Sequence, residues 1–108
     1  RREDFDLMVG ELVSELIERW PQVATIEFAV EDVPPSNPAP WESHNVVVAR
    51  IFPADRRRGL HDRIVVYRLP ITLRCASEEV ALMTRRVLIE RISHILALPP
   101  DEIDDAMR

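Results

Sequence analysis

Apolar residues recur at Phe5, Met8, Val9, Leu12, Val13, Leu16, Ile17 and Trp20, the three- and four-residue spacing that gathers side chains on one face of a helix. A first helix is expected over residues 6–20. Asp4 or Asp6 is placed to cap its start, and Pro21 ends it because a proline pushes the residue before it out of the helical region. The period then changes. Within residues 25–33, Ile26, Phe28 and Val30 alternate with Glu27, Ala29 and Glu31, which describes a half-buried strand. Residues 45–52 form a nearly continuous β-branched run closed by Pro53, which suits an inner strand covered on both faces. Residues 63–70 supply a third strand through Ile64, Val65, Val66 and Tyr67. Residues 71–76 fit either a short helical turn or an irregular crossover. Helical spacing returns at Leu82, Leu88, Ile89, Ile92, Ile95 and Leu96, so a second helix is expected over residues 77–98 with this face on the sheet. Ser77 is its expected N-cap, and Glu78 and Glu79 lie in the first turn, where the helix dipole favours negative charge. The pair Pro99-Pro100 stops it, and a last short helix starts near Pro100. The order helix, three strands, helix, short helix makes an α+β domain with a small mixed sheet of three to four strands.

Two connections carry distinctive residues. Residues 34–41 hold four of the nine prolines, Pro34, Pro35, Pro38 and Pro40, so the segment suits a stiff, exposed loop within the domain. Its end at Trp41 either folds back onto the body or completes a docking motif for proline-reading modules. Arg56, Arg57 and Arg58 precede Gly59 in what reads as a turn. The triplet is either a solvated hairpin tip or a contact site for an acidic partner or phosphate.

A chain of 108 residues fits one domain, residues 1–108, able to bury a core without disulfides or metal. No run of eighteen apolar residues spans a membrane. The net charge of −5 gives the domain no electrostatic footprint for a nucleic-acid backbone. Cys75 is the one cysteine and reads as a small buried residue rather than a reactive thiol. With no internal disulfide and no secretory leader, a reducing cytoplasm is the expected location. The chain opens on Arg1 rather than Met, so a preceding natural segment is expected.

Candidate chemistry gathers on the second helix. Glu90 and His94 sit four residues apart on one flank, Arg91 lies about 100° round from Glu90, and Asp101 follows the proline break. This looks like a metal site with pieces missing. The block from Glu90 to Ala97 resembles the active-site helix of the minimal zincin-type metallopeptidases, a small bacterial type whose pattern is His-Glu-x-x-His-His-Phe-Gly with an Asp shortly after. Two other segments resemble the same family. One is the strand exit Val30-Glu31-Asp32-Val33-Pro34, against a Val-Glu-Asp-x-Pro type. The other runs from Asp62 to Pro70, against Asp-Arg-Ile-x-Leu-aromatic-Arg-x-Pro. The layout agrees over almost the whole chain, and Gly59-Leu60 faintly matches a Gly-Leu-Tyr-Glu-Gly-like segment that borders the family's substrate cleft.

The resemblance implies a zincin-like minimal metalloprotease fold, and it assigns places to residues. His94 falls on the second metal-binding histidine, Glu90 on the first, and Arg91 on the catalytic glutamate. Ala97 falls on the glycine, and Pro100 on the third ligand unless Asp101 takes that place through one added residue. In the family, two histidines and a third ligand hold zinc, the open position holds water whose pKa the metal lowers, and the glutamate takes its proton. Here Glu90, His94 and Asp101 are the metal candidates, and no catalytic residue is left at the general-base position. The cofactor expectation is therefore no metal, or weakly bound zinc. The plain alternatives are a His94 hydrogen-bonded at the edge of the core, surface positions for Glu90 and Arg91, a helix-capping Asp101, and a loop position for His61. Three functions follow. The chain is a catalytically degenerate family member that binds a protein or peptide in the groove beside the second helix. Alternatively it is a metal-dependent hydrolase with an altered Glu/His/Asp set, or a small interaction domain that uses the arginine loop or the proline-rich loop.

Overall fold

The computed structural model of the chain describes residues 2–35 and 47–104. Helix α1 runs Arg2–Arg19, four residues earlier than its apolar period predicts. Asp4 and Asp6 therefore lie inside it rather than capping it, with Glu3 and Asp4 in the first turn, where negative charge meets the free N–H groups. Asp6 pairs with Arg2 one turn back at 4.0 Å. Pro21 does end the helix, but the chain continues as a 3-10 turn, Pro21–Thr25, that drives Val23 to 0% exposure. The Thr25 hydroxyl donates to the Gln22 carbonyl at 2.8 Å, so strand β1 begins only at Glu27 and ends at Glu31. Ile26 is buried and Phe28 and Val30 pack against the core, as the alternation predicts.

The sheet has three strands in the order β1-β3-β2 among the described residues, with β2 at Ala49–Phe52 and β3 at Arg63–Tyr67. β1 pairs parallel to β3, and β2 antiparallel to it. This corrects the expectation for residues 45–52: their paired part is an edge strand, and β3 is the inner one. The reason lies in which residues pair. Val47 and Val48 precede the strand, whereas Ile64, Val65, Val66 and Tyr67 of β3 are all at most 3% exposed and so need cover on both faces. Residues 45 and 46 of that run, and residues 36–41 of the proline-rich segment with Trp41, lie outside the described residues.

β3 stops at Tyr67 because the chain turns directly into the short helix α2, Arg68–Thr72. Pro70 sits in its first turn, where its missing N–H costs nothing. A further 3-10 turn, Ser77–Glu79, precedes α3, Val80–Leu96. Ser77 is not a cap: its hydroxyl donates to the neighbouring Glu78 carboxylate at 3.3 Å, and Ala76 holds the N-cap position without a side-chain bond. Helix α4, Pro100–Ile103, carries Pro100 at its start, as expected.

One core joins these elements. Phe5, Val9 and Leu16 of α1, Ile64 and Val66 of β3, and Leu88, Ile89 and Ile92 of α3 form a single cluster with Ile103. Ile95 and Leu96 are half-buried against it. Leu82 departs from the pattern at 59% exposure. It lies seven residues before Ile89, within about 20° on the helix wheel, so the difference is its place along the axis rather than its angle. The parallel pair is pinned at both ends. The Glu27 N–H donates to the Asp62 carbonyl at 2.9 Å, and the Leu69 N–H donates to the Asp32 carbonyl at 3.0 Å.

Ile92 is fully buried on the face that α3 lays on the sheet. Replacing it by Ala should cost about 2–5 kcal/mol of unfolding free energy, read by urea denaturation. A loss below 1 kcal/mol would mean that this helix face is not the one the core is built on.

Candidate functional site

The last two turns of α3 bring the chemistry-bearing residues to the end of the domain. Ile92 and Ser93 face inward, and this inward face turns Glu90 and His94 out to solvent on one flank, four residues apart. Arg91 is half-buried, and its Nη1 lies 3.6 Å from Glu90 Oε2. The Ser93 hydroxyl donates to the Glu90 carbonyl at 2.7 Å, which satisfies a polar group on the buried side. His94 occupies the final turn, where a positive charge would meet the negative end of the helix dipole. Asp101 is half-buried in the first turn of α4. Among the described residues, no three His, Cys, Asp or Glu side chains lie together in a group that could hold a metal ion.

The turn that ends α3 has its own constraint. Ala97 adopts φ 55, ψ 42 in the left-handed region, with its N–H on the Ser93 carbonyl, and the Leu98 N–H reaches the same carbonyl at 3.0 Å. Two N–H groups thus converge on one carbonyl at the helix end. The position favours glycine, because a Cβ in this conformation crowds the following carbonyl oxygen. Beyond it, α4 is held by Ile103 at 0% exposure and by an ion pair in which Arg85 Nη1 donates to Asp104 Oδ2. The sequence reading missed this pair. Asp104 is 6% exposed, and its only signal was an acid directly after the last apolar residue of the chain's final helix.

Three further charged residues that the motif resemblance quoted only as part of a pattern, Asp32, Arg68 and Asp62, turn out to be structural. Asp32 Oδ1 accepts from Arg68 Nε at 3.0 Å, and its other oxygen accepts from Arg2 Nη1 at 3.2 Å. This joins the exit of β1 to the exit of β3 and to the start of α1. Asp62 Oδ1 accepts the Ala54 N–H at 2.9 Å and fixes the base of the β2–β3 hairpin.

The arginine triplet occupies the tip of that hairpin. Arg56–Arg58 form a 3-10 turn capped by the Asp55 side chain, with Gly59 at φ 68 closing it. Asp55 and Leu60 exchange two main-chain hydrogen bonds, at 3.0 and 2.9 Å. All three arginines are exposed. His61 is exposed in the same loop, as its loop reading expects.

A concave site beside α3 lies at its other end. A cavity of about 450 Å³ opens between Phe5 and Met8 of α1, Cys75, and Val80 and Ala81 of α3. By helix rise it is about 15–21 Å along the axis from Glu90 and His94. Cys75 is half-buried there with a free thiol.

A family model described as zincin-like metallopeptidase matches residues 23–107. The match takes in all three strands, the exits that carry Asp32 and Arg68, and the whole of α3. No curated protein matches the chain.

The strained turn after α3 yields a direct test. Ala97→Gly should raise stability by about 1 kcal/mol, seen as a melting temperature higher by about 4–8 °C. An unchanged or lower melting temperature would show that the left-handed turn at residue 97 is not imposed by the fold.

Proposed function

The chain belongs to the zincin-like metallopeptidase family, and we propose that it uses that family's scaffold as a binding or regulatory module, without metal-dependent peptide hydrolysis. One feature supports the reading: on the motif resemblance set out above, Arg91 falls where the family's pattern has its general base, and its guanidinium faces the Glu90 carboxylate at 3.6 Å. An arginine side chain cannot take a proton from water. It also sets a permanent positive charge beside any cation approaching Glu90 and His94, and at this spacing the two like charges repel.

The residues present fit a zinc ion poorly. Glu90 in place of the first histidine leaves one imidazole and up to two carboxylates, a harder donor set than zinc sites built on two histidines. Glu90 already has a cationic neighbour in Arg91, and Asp101 has a partner of its own within the protein. The competing reading, a hydrolase running on Glu90, His94 and Asp101, needs Glu90 and Asp101 to leave these contacts and all three side chains to converge on one point. A binding role needs no such change. The groove at the first turn of α3, with Phe5, Met8 and Val80 in its walls, suits the apolar side chains of a protein or peptide partner.

The deciding experiment pairs the natural chain with the double change Glu90→His plus Arg91→Glu, measuring zinc affinity by competition with a chromogenic chelator and hydrolysis of an unfolded protein substrate. The natural chain should show no chelator-sensitive turnover and weak zinc binding at most. The double change should bind zinc more tightly, by about tenfold or more, because an imidazole and a carboxylate replace a carboxylate and a cation. Chelator-sensitive cleavage by the natural chain would overturn the proposal.

A further inference from the structure

The chain's charge is segregated. Residues 50–63 contain five arginines, Arg50, Arg56, Arg57, Arg58 and Arg63, against Asp55 and Asp62, a net of +3 in a chain of −5, which leaves −8 for the remaining residues. Both aspartates are occupied by main-chain donors, Asp55 by the Arg58 N–H at 3.4 Å and Asp62 by the Ala54 N–H at 2.9 Å. Among the described residues, Arg56, Arg57 and Arg58 make no ion pair with a carboxylate. Three cations are thus presented together on a turn whose backbone is bonded internally, by Asp55 to Leu60 and by Gly59 to Arg56 at 3.2 Å.

The same end of the hairpin also exposes large apolar side chains. Leu60, bridged to Asp55, is 52% exposed, and Phe52, opposite Arg63 in the sheet register, is 42% exposed. Arginine forks suit carboxylates because two parallel N–H groups meet two oxygens, and a neighbouring apolar group suits an aliphatic or aromatic side chain between the acids.

We infer that the β2–β3 tip docks an acidic segment of a partner protein, one in which Asp or Glu residues surround an apolar side chain. The site is separate from the groove beside α3 and does not depend on what that groove binds. Charge decides against an extended polyanion. A membrane surface or a nucleic-acid backbone is broad enough to meet the −8 remainder of the chain as well as the +3 segment of residues 50–63, and the excess repels it. A short acidic segment reaches only the tip.

The test uses the full chain and a fluorescein-labelled peptide of Asp, Glu and Leu, with binding followed by anisotropy. Binding should weaken as salt is added, and should fall about tenfold in R56S/R57S/R58S. The charge-retaining R56K/R57K/R58K should lose less, and Leu60→Ser should weaken binding without changing its salt dependence. The serine triple variant should melt within a few degrees of the natural chain, since all three residues are exposed; if it does not fold, the lysine variant and Leu60→Ser decide the matter. Absence of peptide binding, or binding untouched by these changes, overturns the inference. So does tighter binding to vesicles containing phosphatidylserine or to duplex DNA, or an arginine-dependent association of the chain with itself under the same conditions.

Discussion

The inner strand of the sheet governs the rest of the structure. Four successive residues of β3, Ile64 to Tyr67, are nearly sealed from solvent, and in a strand successive side chains point to opposite faces. Both faces must therefore be covered, and neither edge of β3 is left free. β1 and β2 supply the edges from either side, and α1 and α3 cover the face carrying Ile64 and Val66. On the other face Arg50 of β2 stands 6.0 Å above the Tyr67 ring, so even a charged residue of the edge strand contributes to the cover. The chain order follows from this. β1 is laid down first, β2 beyond the vacant place, and β3 returns through the hairpin to fill it.

Where local pattern and tertiary demand agree, the sequence was readable. The i, i+3, i+4 rows of α1 and α3 put Phe5, Val9, Leu16, Leu88 and Ile92 inside, because a continuous apolar stripe on a helix has no other low-energy place. The proline pair after α3 and the start of α4 at Pro100 were readable for a similar reason, since proline leaves few conformations open. Edges and caps were not. The run ending in Ile51 and Phe52 has inner-strand composition yet lies at an edge, and composition does not specify which strand a hairpin inserts between its neighbours. Ser77 is a good N-cap residue, but a 3-10 turn intervenes and Val80 starts the helix. Arg85 and Asp104 lie nineteen residues apart, and nothing local in either residue announces a long-range ion pair.

The candidate site was legible as positions but not as contacts. The spacing of Glu90 and His94 puts them on one flank, and the helix keeps that geometry. What spacing cannot tell is which charges each side chain meets, and Glu90 meets Arg91, an adjacent residue that helical geometry normally turns aside. The family pattern drew attention to Ala97 because a glycine is expected there, and the left-handed backbone gives that expectation its physical content.

The residues that fall on the family's patterns, whether they match or depart from them, form two groups in different places. Asp32, Arg68 and Asp62 hold strand exits and the hairpin base together, so changing them disturbs the fold directly. The positions at Glu90, Arg91 and Asp101 lie on or near the surface at the far end of α3. In a metal site, an ion shared between a helix and the segment after it ties the two together. In this chain α4 is tied to α3 by the burial of Ile103 and by the Arg85–Asp104 pair. Breaking that pair would take the Arg85 guanidinium away from an aspartate that is 6% exposed, and removing one partner of a buried ion pair is costly. Apolar packing and the Arg85–Asp104 pair thus hold the helix end, while Glu90 and His94 stand exposed on its flank.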